Sequence, residues 1–289
     1  MIFVKQGRDG PDLARTSLFP GCRIGPGCGT FHAYARGTEP LLTDRFLLNR
    51  RGVELTRTER MRLEDAITEV IDVPARTTIV RAGEPIHVSN LLIEGYMSRY
   101  IDDRKGLRQL VGMHVPGDFV DLHSFPMMTL DHNMATLTAA KVAIVPHAHL
   151  RQLIADDRDL ALKLWFSTLV DASLHRAWLF RVGRLDAVGR VAHFLSEVNA
   201  RLEAVDLSDG HRFTLGITQA DLAEACGLTS VHTNRVMRQL REMKLCAVRA
   251  PIVEILDRAG LERRGNFDPY YLYLAEKSGA EPKVAEAAR

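Results

Sequence analysis

The sequence of 289 residues has little cysteine, little net charge and no long apolar run. Its four cysteines are too few to form a disulfide framework in a chain of this length. The formal net charge is only +2, so no general electrostatic field draws the whole chain to nucleic acid. No apolar run is long enough to cross a membrane, and the first residues lack the pattern of a signal peptide. We therefore expect a cytoplasmic protein with no membrane partner.

Signatures of catalysis are missing as well. The sequence contains no catalytic triad, phosphate-binding loop or paired acid and base carboxylates. Hydrophobic residues make up 46% and charged residues 26%, which is typical of a globular protein, and the length is sufficient for two domains. We expect neither an enzyme nor a resident cofactor.

The most informative stretch is residues 218–242, TQADLAEACGLTSVHTNRVMRQLRE. Thr218 and Thr229 each stand where a short helix needs an N-cap. Asp221 follows Thr218 at the spacing of a capping box, and Gly227 lies where the chain must turn sharply. The stretch therefore predicts two short helices joined by a tight turn.

The polar face of the second helix is basic. Its first turns carry Ser230, Val231, His232, Asn234 and Arg235, and Arg238, Arg241 and Lys244 follow. A DNA-reading helix needs polar groups that reach base edges and cations that neutralise phosphates. A helical hairpin with a solvated basic face is the alternative interpretation. The coincidence of both caps, the small residue Ala223 and Gly227 at the matching spacing favours DNA binding.

Residues 1–44 are predicted to be a flexible N-terminal extension, because glycine and proline are frequent and no period is present. Cys22 and Cys28 lie in this segment. Their spacing is wider than that of usual zinc or redox pairs, and no second pair follows. We interpret them as free thiols.

Residues 45–156 are predicted to form an antiparallel β-roll, which makes the fold class α+β. Apolar residues at helical spacing first indicate a helix within residues 41–70, with Thr58 as its cap. Short β-rich runs then alternate with turn residues, as in a sandwich or rolled barrel. The predicted strands are Thr77–Arg81, Leu91–Ile101, Arg108–His114, Phe119–Leu122, Met134–Ala139 and Val142–Val145, and a short helix follows at His147–Ile154.

Residues 157–183 are predicted to form one long helix that is apolar around much of its circumference. Such a helix must be buried on two sides. One side can cover the roll, and a second copy of the same helix is the simplest partner for the other. Burial inside a single chain is the alternative. The predicted dimer contacts are Leu162, Phe166, Leu169, Val170, Leu174 and Trp178.

Residues 184–264 are predicted to form a winged helix-turn-helix domain. Gly183 is expected to end the long helix, and a second amphipathic helix follows over residues 186–202. The strands Ala247–Arg249 and Ile252–Leu256 flank a tight turn and form the wing, in which Arg249 would contact a phosphate. Residues 265–289 are predicted to be a tail, with a helical pattern over Phe267–Glu276 and a loose end.

Three motifs in this order resemble the Crp/Fnr family of bacterial transcription regulators. They are NLLIEGYMSRY at residues 90–100, HVPGDFVDL at 114–122 and GLTSVHTNRVMRQLRE at 227–242. The resemblance covers about residues 45–256. It implies a β-roll sensor domain, a dimerisation helix and a winged helix-turn-helix that binds a two-fold-symmetric operator. It also implies double-stranded DNA, a second copy of the chain and RNA polymerase as partners.

The resemblance places Ser230, Val231 and Arg235 at the base-reading positions and Thr218 and Gln219 at phosphates. A guanidinium can bond two acceptors of a guanine, so Arg235 is the strongest candidate. Val231 departs from the family, because members that read the best-known half-site have a carboxylate there. An isopropyl group can contact a thymine methyl instead, so we expect a different operator.

The family's effector sites do not carry over to this sequence. Cyclic-nucleotide binders have a glutamate where this chain has Leu122 and an arginine where it has Asn133, and a buried phosphate without a cation is costly. The iron–sulfur branch uses more N-terminal cysteines than Cys22 and Cys28. We therefore expect control by cyclic AMP and by an iron–sulfur cluster to be absent, while another small-molecule effector stays open.

Histidines in and near the roll support an alternative hypothesis. Converging imidazoles can hold a metal or haem, and the protein would then be a sensor whose roll gates DNA binding. Dispersed loop histidines are more often surface residues. His123, beside Leu122 in the former effector segment, is the histidine of greatest interest.

Overall fold

The structure is a computed structural model that describes residues 40–275. Its helices are α1 Arg57–Asp65, α2 Ser124–Met127, α3 His147–Asp156, α4 Arg158–Arg184, α5 Ala187–Ala204, α6 Gln219–Cys226, α7 Ser230–Glu242 and α8 Arg258–Arg264. Its strands are β1 Glu69–Val73, β2 Thr78–Val80, β3 Val88–Glu94, β4 Met97–Asp102, β5 Arg108–His114, β6 Asn133–Thr136, β7 Ala140–Pro146, β8 Arg212–Thr214, β9 Cys246–Arg249 and β10 Ile252–Ile255. No helix within this described range is long and apolar enough to cross a membrane. Cys22 and Cys28 lie outside it.

Two antiparallel sheets form the β-roll, in the strand orders β1-β7-β3 and β2-β6-β4-β5. Leu92, Met97 and Val142 belong to the apolar cluster between them. Gly117 has a φ of +98°, and a Cβ there would lie 2.6 Å from the carbonyl oxygen of Arg45. Only glycine lets this turn press against the chain that precedes the roll.

Most predicted strands are present with shifted ends, and three features differ. The run Leu91–Ile101 is interrupted at Gly95 and forms β3 and β4. Phe119–Leu122 is not a strand, because it makes only an isolated bridge between Leu91 and Phe119, and the Val120 carbonyl bonds a side chain instead. Strand β1 was not predicted, since its residues continue the apolar period of the preceding helix.

Only α1 is helical within residues 41–70. Its cap is Thr56 and not Thr58: the Thr56 hydroxyl accepts from the Glu59 amide, and the Glu59 carboxylate accepts from the Thr56 amide. Residues 41–49 form turns in which Leu47 and Asn49 have positive φ, a conformation that stops a right-handed helix.

The long helix α4 ends later than predicted. Gly183 remains helical, and the helix ends where Leu185 becomes extended. The side chain of Asp186 then caps α5 by accepting from the Gly189 amide, so the start of a new helix sets the break.

The C-terminal domain comprises α5 to α8 and the sheet β8-β10-β9, in which β8 was not predicted. Its core is continuous with the roll, because Tyr96 and Leu110 share one apolar cluster with Phe194 and Val236. The pattern over Phe267–Glu276 gives only a single 3-10 turn at Pro269–Leu272. Leu272 is fully buried, so this end of the described chain packs on the domain.

Candidate nucleic-acid interface

The helix-turn-helix forms as α6, a turn at Gly227 and α7. The Thr218 hydroxyl accepts from the Asp221 amide and the Asp221 carboxylate accepts from the Thr218 amide, which confirms the capping box. Gly227 adopts a left-handed φ of 61°. The Thr229 hydroxyl caps α7 by accepting from the His232 amide at 3.2 Å. These local bonds fix where each helix begins.

Helix α7 is divided cleanly into a buried and an exposed face. Val236 and Leu240 are buried, and Thr233 is buried beside them. The exposed face contains Ser230, Val231, His232, Asn234, Arg235 and Arg238. Val231 is 70% exposed, an unusual exposure for an isopropyl group that suits an apolar contact with a base.

The wing forms as predicted by the pairing of β9 with β10. Strand β8 completes its sheet by pairing with the other side of β10. Arg249 lies at the exposed tip, opposite Ile252. Arg238 on α7 donates to Glu242 at 3.0 Å, an exposed pair that leaves the arginine accessible to solvent.

The N-terminus of α6 was predicted to contact a DNA phosphate, but part of it is already bonded to the roll. Gln219 is exposed, but the Thr218 hydroxyl accepts from Arg76 of the roll at 2.9 Å. Arg76 and Arg108 also donate to Asp221, at 2.9 Å each. No sequence pattern pointed to these two roll arginines, because their acceptor is distant in the chain.

Comparison with known proteins agrees with this geometry. A family model for the Crp-like helix-turn-helix domain matches residues 189–264. A probable transcriptional activator of Rhizobium leguminosarum is 26% identical over 57% of this chain and 67% of its own length. The cAMP-activated global regulator Vfr of Pseudomonas aeruginosa is 27% identical over 61% of this chain and 83% of its own.

The fold is shared with solved regulators. The structure of FixK2 from Bradyrhizobium japonicum has a TM-score of 0.62 at 23% identity and covers 68% of this chain and 96% of FixK2. Residues 189–264 therefore form a Crp-like helix-turn-helix domain, and the chain is similar to regulators of the Crp/Fnr family. It is a DNA-binding transcription regulator with the β-roll and winged helix-turn-helix of that family.

An internal ion pair lies where the β-roll meets the long helix α4. Arg99 on β4 is 2% exposed, and its guanidinium lies 2.5 Å from the Asp171 carboxylate on α4. Its Nε donates to the Val120 carbonyl at 2.8 Å. The Arg99 side chain therefore joins strand β4, the segment that contains Val120 and helix α4.

The predicted effector-pocket residues contact different parts of the roll. Leu122 is buried in the apolar cluster that contains Phe119, and Asn133 bonds the Ala82 amide and Asp102. His123 instead stacks on His132, with ring centroids 5.5 Å apart. Leu122, His123 and Asn133 as effector-site residues therefore remain a prediction.

Three histidines in and near the roll, His114, His132 and His147, are buried, and no roll histidine within the described residues belongs to a metal-binding group. Burial and the positive charge of Arg99 lower the pKa of His114 to about 4 and that of His123 to about 3. Burial also lowers the pKa of His147, which contacts Ser89 and Ser124. Within residues 40–275, no three His, Cys, Asp or Glu side chains lie close enough to hold one metal ion. The interpretation of these histidines as surface residues was wrong for His114, His132 and His147.

The predicted dimer contacts on α4 point in two directions. Leu162 and Leu169 are each 51% exposed. Val170 and Trp178 are buried in the same chain, and the Trp178 indole donates to Glu197 at 2.9 Å, so these two are corrected to core residues. Phe166 and Leu174 are half-buried against the chain's own apolar clusters. The exposed apolar face also contains Trp165, Leu179 and Phe180, which were not predicted to be contacts.

Proposed function

We propose that the protein binds a two-fold-symmetric operator as a homodimer, with one α7 helix in each of two successive major grooves. The observation that carries this proposal is the exposed face of α7, whose predicted base-reading residues all point away from the core. Arg235 reads a guanine through two hydrogen bonds, and Val231 contacts a thymine methyl. Gln219 and Arg249 contact phosphates on either side.

The exposed face of α4 supports the dimer. The exposed residues Leu162, Trp165, Leu169, Ala172, Arg176 and Leu179 follow one another at alternating intervals of three and four positions. This heptad spacing suits a two-stranded coiled coil with a second copy of α4. A patch with four large apolar side chains on one helix needs such a partner, because solvent exposure of contiguous apolar surface is unfavourable.

The roll is proposed to act without a cyclic nucleotide. The Arg99–Asp171 pair fills the junction between roll and α4, and Asn133 supplies no cation for a phosphate. Vfr is named as cAMP-activated, whereas this chain has neither the ribose carboxylate nor the phosphate arginine of that subfamily. RNA polymerase is the proposed partner on DNA, and the cytoplasm the proposed location.

The decisive experiment is selection of duplexes from a random library by the purified full-length protein, with and without cyclic AMP. We expect a symmetric site with half-sites about one helical turn apart, enriched equally in both conditions. The Arg235→Ala protein is the matched control and should enrich this site more weakly, with a relaxed preference at the guanine that Arg235 is proposed to read. Enrichment only with cyclic AMP would contradict the effector-free proposal, and no enrichment in either condition would contradict operator binding.

The alternative is a metal or haem sensor that uses the roll histidines. It has less support, because the one close histidine pair, His123 and His132, has no third ligand in the described part of the chain. Metal analysis and a visible absorption spectrum of the purified protein distinguish the two hypotheses.

A further inference from the structure

The first helix of the helix-turn-helix, α6, is held at its N-terminal end by the β-roll. Arg108 on β5 donates to Asp221 at 2.9 Å and to Glu224 at 2.6 Å. Arg76, in the turn before β2, donates to the other Asp221 oxygen at 2.9 Å. Both arginines therefore reach across from the sensor domain to a helix of the DNA-binding domain.

The acceptor of these bonds is unusual. The Asp221 side chain is fully buried, and it also accepts from the Thr218 amide that begins α6. A buried carboxylate without cations is costly, and it would lie beside the helix end that faces a DNA phosphate. Arg108 stays within reach because its guanidinium lies over the ring of Tyr100, 5.4 Å from the centroid, and its side chain is only 22% exposed.

The C-terminal end of α6 is held by the long helix. Arg181 on α4 is fully buried and donates to the Ala225 carbonyl at 2.9 Å. Its guanidinium lies over Trp178, 4.0 Å from the ring centroid. Arg181 makes no ion pair within residues 40–275, so the negative end of α6 and the aromatic face offset its charge.

We propose that Arg108 and Arg181 are positioning residues for operator binding. They fix α6, and with it α7, relative to the roll and α4, so that both recognition helices of a dimer have the separation that a two-fold operator requires. Because the two domains are already fixed in the free protein, less conformational entropy is lost when the protein binds DNA. This inference rests on the proposed function, and neither residue is assigned a DNA contact.

The first test compares Arg108→Gln with Arg104→Gln. Arg104 lies in the same β4–β5 hairpin, is exposed, and its side chain makes no hydrogen bond or ion pair with the described residues. Both variants lose one positive charge. We expect Arg108→Gln to weaken binding to the selected operator by about tenfold, within the range of coupling between sites, and Arg104→Gln to leave it unchanged. Arg108→Lys should be intermediate, because an ammonium does not reproduce the fork that spans two carboxylates.

Half-site spacing separates positioning from simple destabilisation. The wild type should bind operators with one base pair inserted or deleted between half-sites far more weakly than the selected operator. The Arg108→Gln and Arg181→Lys proteins should show a smaller preference, since their domains are no longer fixed. Equal loss on all three operators, or no loss at all, would overturn the positioning role.

Hydrogen exchange of the free protein provides a reading that does not depend on DNA. Amides of β5 and α6 should exchange faster in Arg108→Gln than in the wild type or in Arg104→Gln. If the wild type selects no operator, the proposed function fails, and exchange still tests separately whether Arg108 holds α6 against the roll. Unchanged exchange would then overturn it, and faster exchange in β5 and α6 would support it.

Discussion

The guanidinium of Arg99 on β4 lies 2.5 Å from the carboxylate of Asp171 on α4, and so joins the interior of the β-roll to the long helix. Arg99 is 2% exposed and the Asp171 side chain 23% exposed. Arg99 and nearby imidazoles hold the pKa of Asp171 below its usual range, despite burial that opposes this shift. Asp171 is therefore charged at neutral pH, and its ion pair with Arg99 joins the β-roll to α4.

Replacing Arg99 by methionine should destabilise the protein. The substitution leaves Asp171 without its cation and the Val120 carbonyl without its donor. We expect a loss of about 3 kcal/mol in the free energy of unfolding, at the lower end for a broken buried pair because Asp171 is partly exposed. Urea denaturation followed by circular dichroism measures this loss.

The matched control for this change is the double variant Arg99→Met with Asp171→Leu. It removes both charges, so no uncompensated carboxylate remains, and its stability should return to within about 1 kcal/mol of the wild type. A double variant as unstable as Arg99→Met alone would show that the ion pair is not the cause of the loss.

Acidification should destabilise the protein through its buried histidines. Burial and Arg99 lower the pKa of His114 from 6.5 to about 4, so its neutral form stabilises the fold above pH 6.5 and this stability is lost as the pH falls toward 4. His123 changes in the same direction. Burial raises the pKa of Asp121 to about 6, so this carboxyl opposes the trend: its contribution is present below its unfolded pKa and is lost as the pH rises through 6.

The variant His114→Leu isolates one of these groups. His114 Nε2 is buried without a partner, and Nδ1 lies 3.7 Å from Asp118, so little bonding is removed. As the pH falls from 6.5 to 4, the wild type loses stability through His114 and the His114→Leu protein does not. The free energy of unfolding of the variant, minus that of the wild type, should therefore rise by about 3 kcal/mol. Urea midpoints across this pH range measure the change, and parallel curves for the two proteins would contradict it.

Local signals made the DNA-binding domain predictable. The caps and the left-handed turn involve only residues that are close in the sequence, namely Thr218, Asp221, Gly227 and Thr229. Their spacing in the sequence therefore determines their geometry. The two faces of α7 follow from helical periodicity alone. These elements match the prediction at nearly every residue.

Long-range ionic contacts had no signal in the sequence. Arg99 and Asp171 are 72 positions apart, and Arg108 and Asp221 are 113 apart. Neither pair shares a period, a motif or a helix face. Trp178 was assigned to the dimer interface for the same reason. Its apolar character predicts burial, but no sequence pattern shows whether a second chain or the α5 residue Glu197 contacts it.

A charge on the exposed face of α4 should dissociate the proposed dimer. Leu169 is 51% exposed on the heptad stripe, so Leu169→Glu would bury an unpaired carboxylate in the seam. We expect a cost of about 3 kcal/mol and a dimer dissociation constant raised roughly a hundredfold. Sedimentation equilibrium of the full-length protein measures this constant.

Met61→Glu is the control for the dimer experiment. Met61 is 50% exposed on α1 and is not part of the α4 stripe, so the same change from an apolar to an acidic side chain should leave the oligomeric state unaltered. If Leu169→Glu remained as dimeric as Met61→Glu, the interface would have to lie on another face.

Arg235→Ala should remove specificity and not general affinity for DNA. The exposed guanidinium on the first turns of α7 is proposed to bond a guanine edge, so its loss should cost about 1–3 kcal/mol on the selected operator.

Arg241→Ala, in the last turn of the same helix, removes an equal charge from an exposed position that is proposed to face the DNA backbone. It should weaken binding to operator and random duplexes alike and reduce the salt dependence of both. Affinity measurements over a salt series distinguish the two variants, because a lost base contact changes the ratio of specific to non-specific affinity and a lost phosphate contact does not. The same ratio in both variants would mean that Arg235 reads no base and that α7 lies in the groove in another orientation.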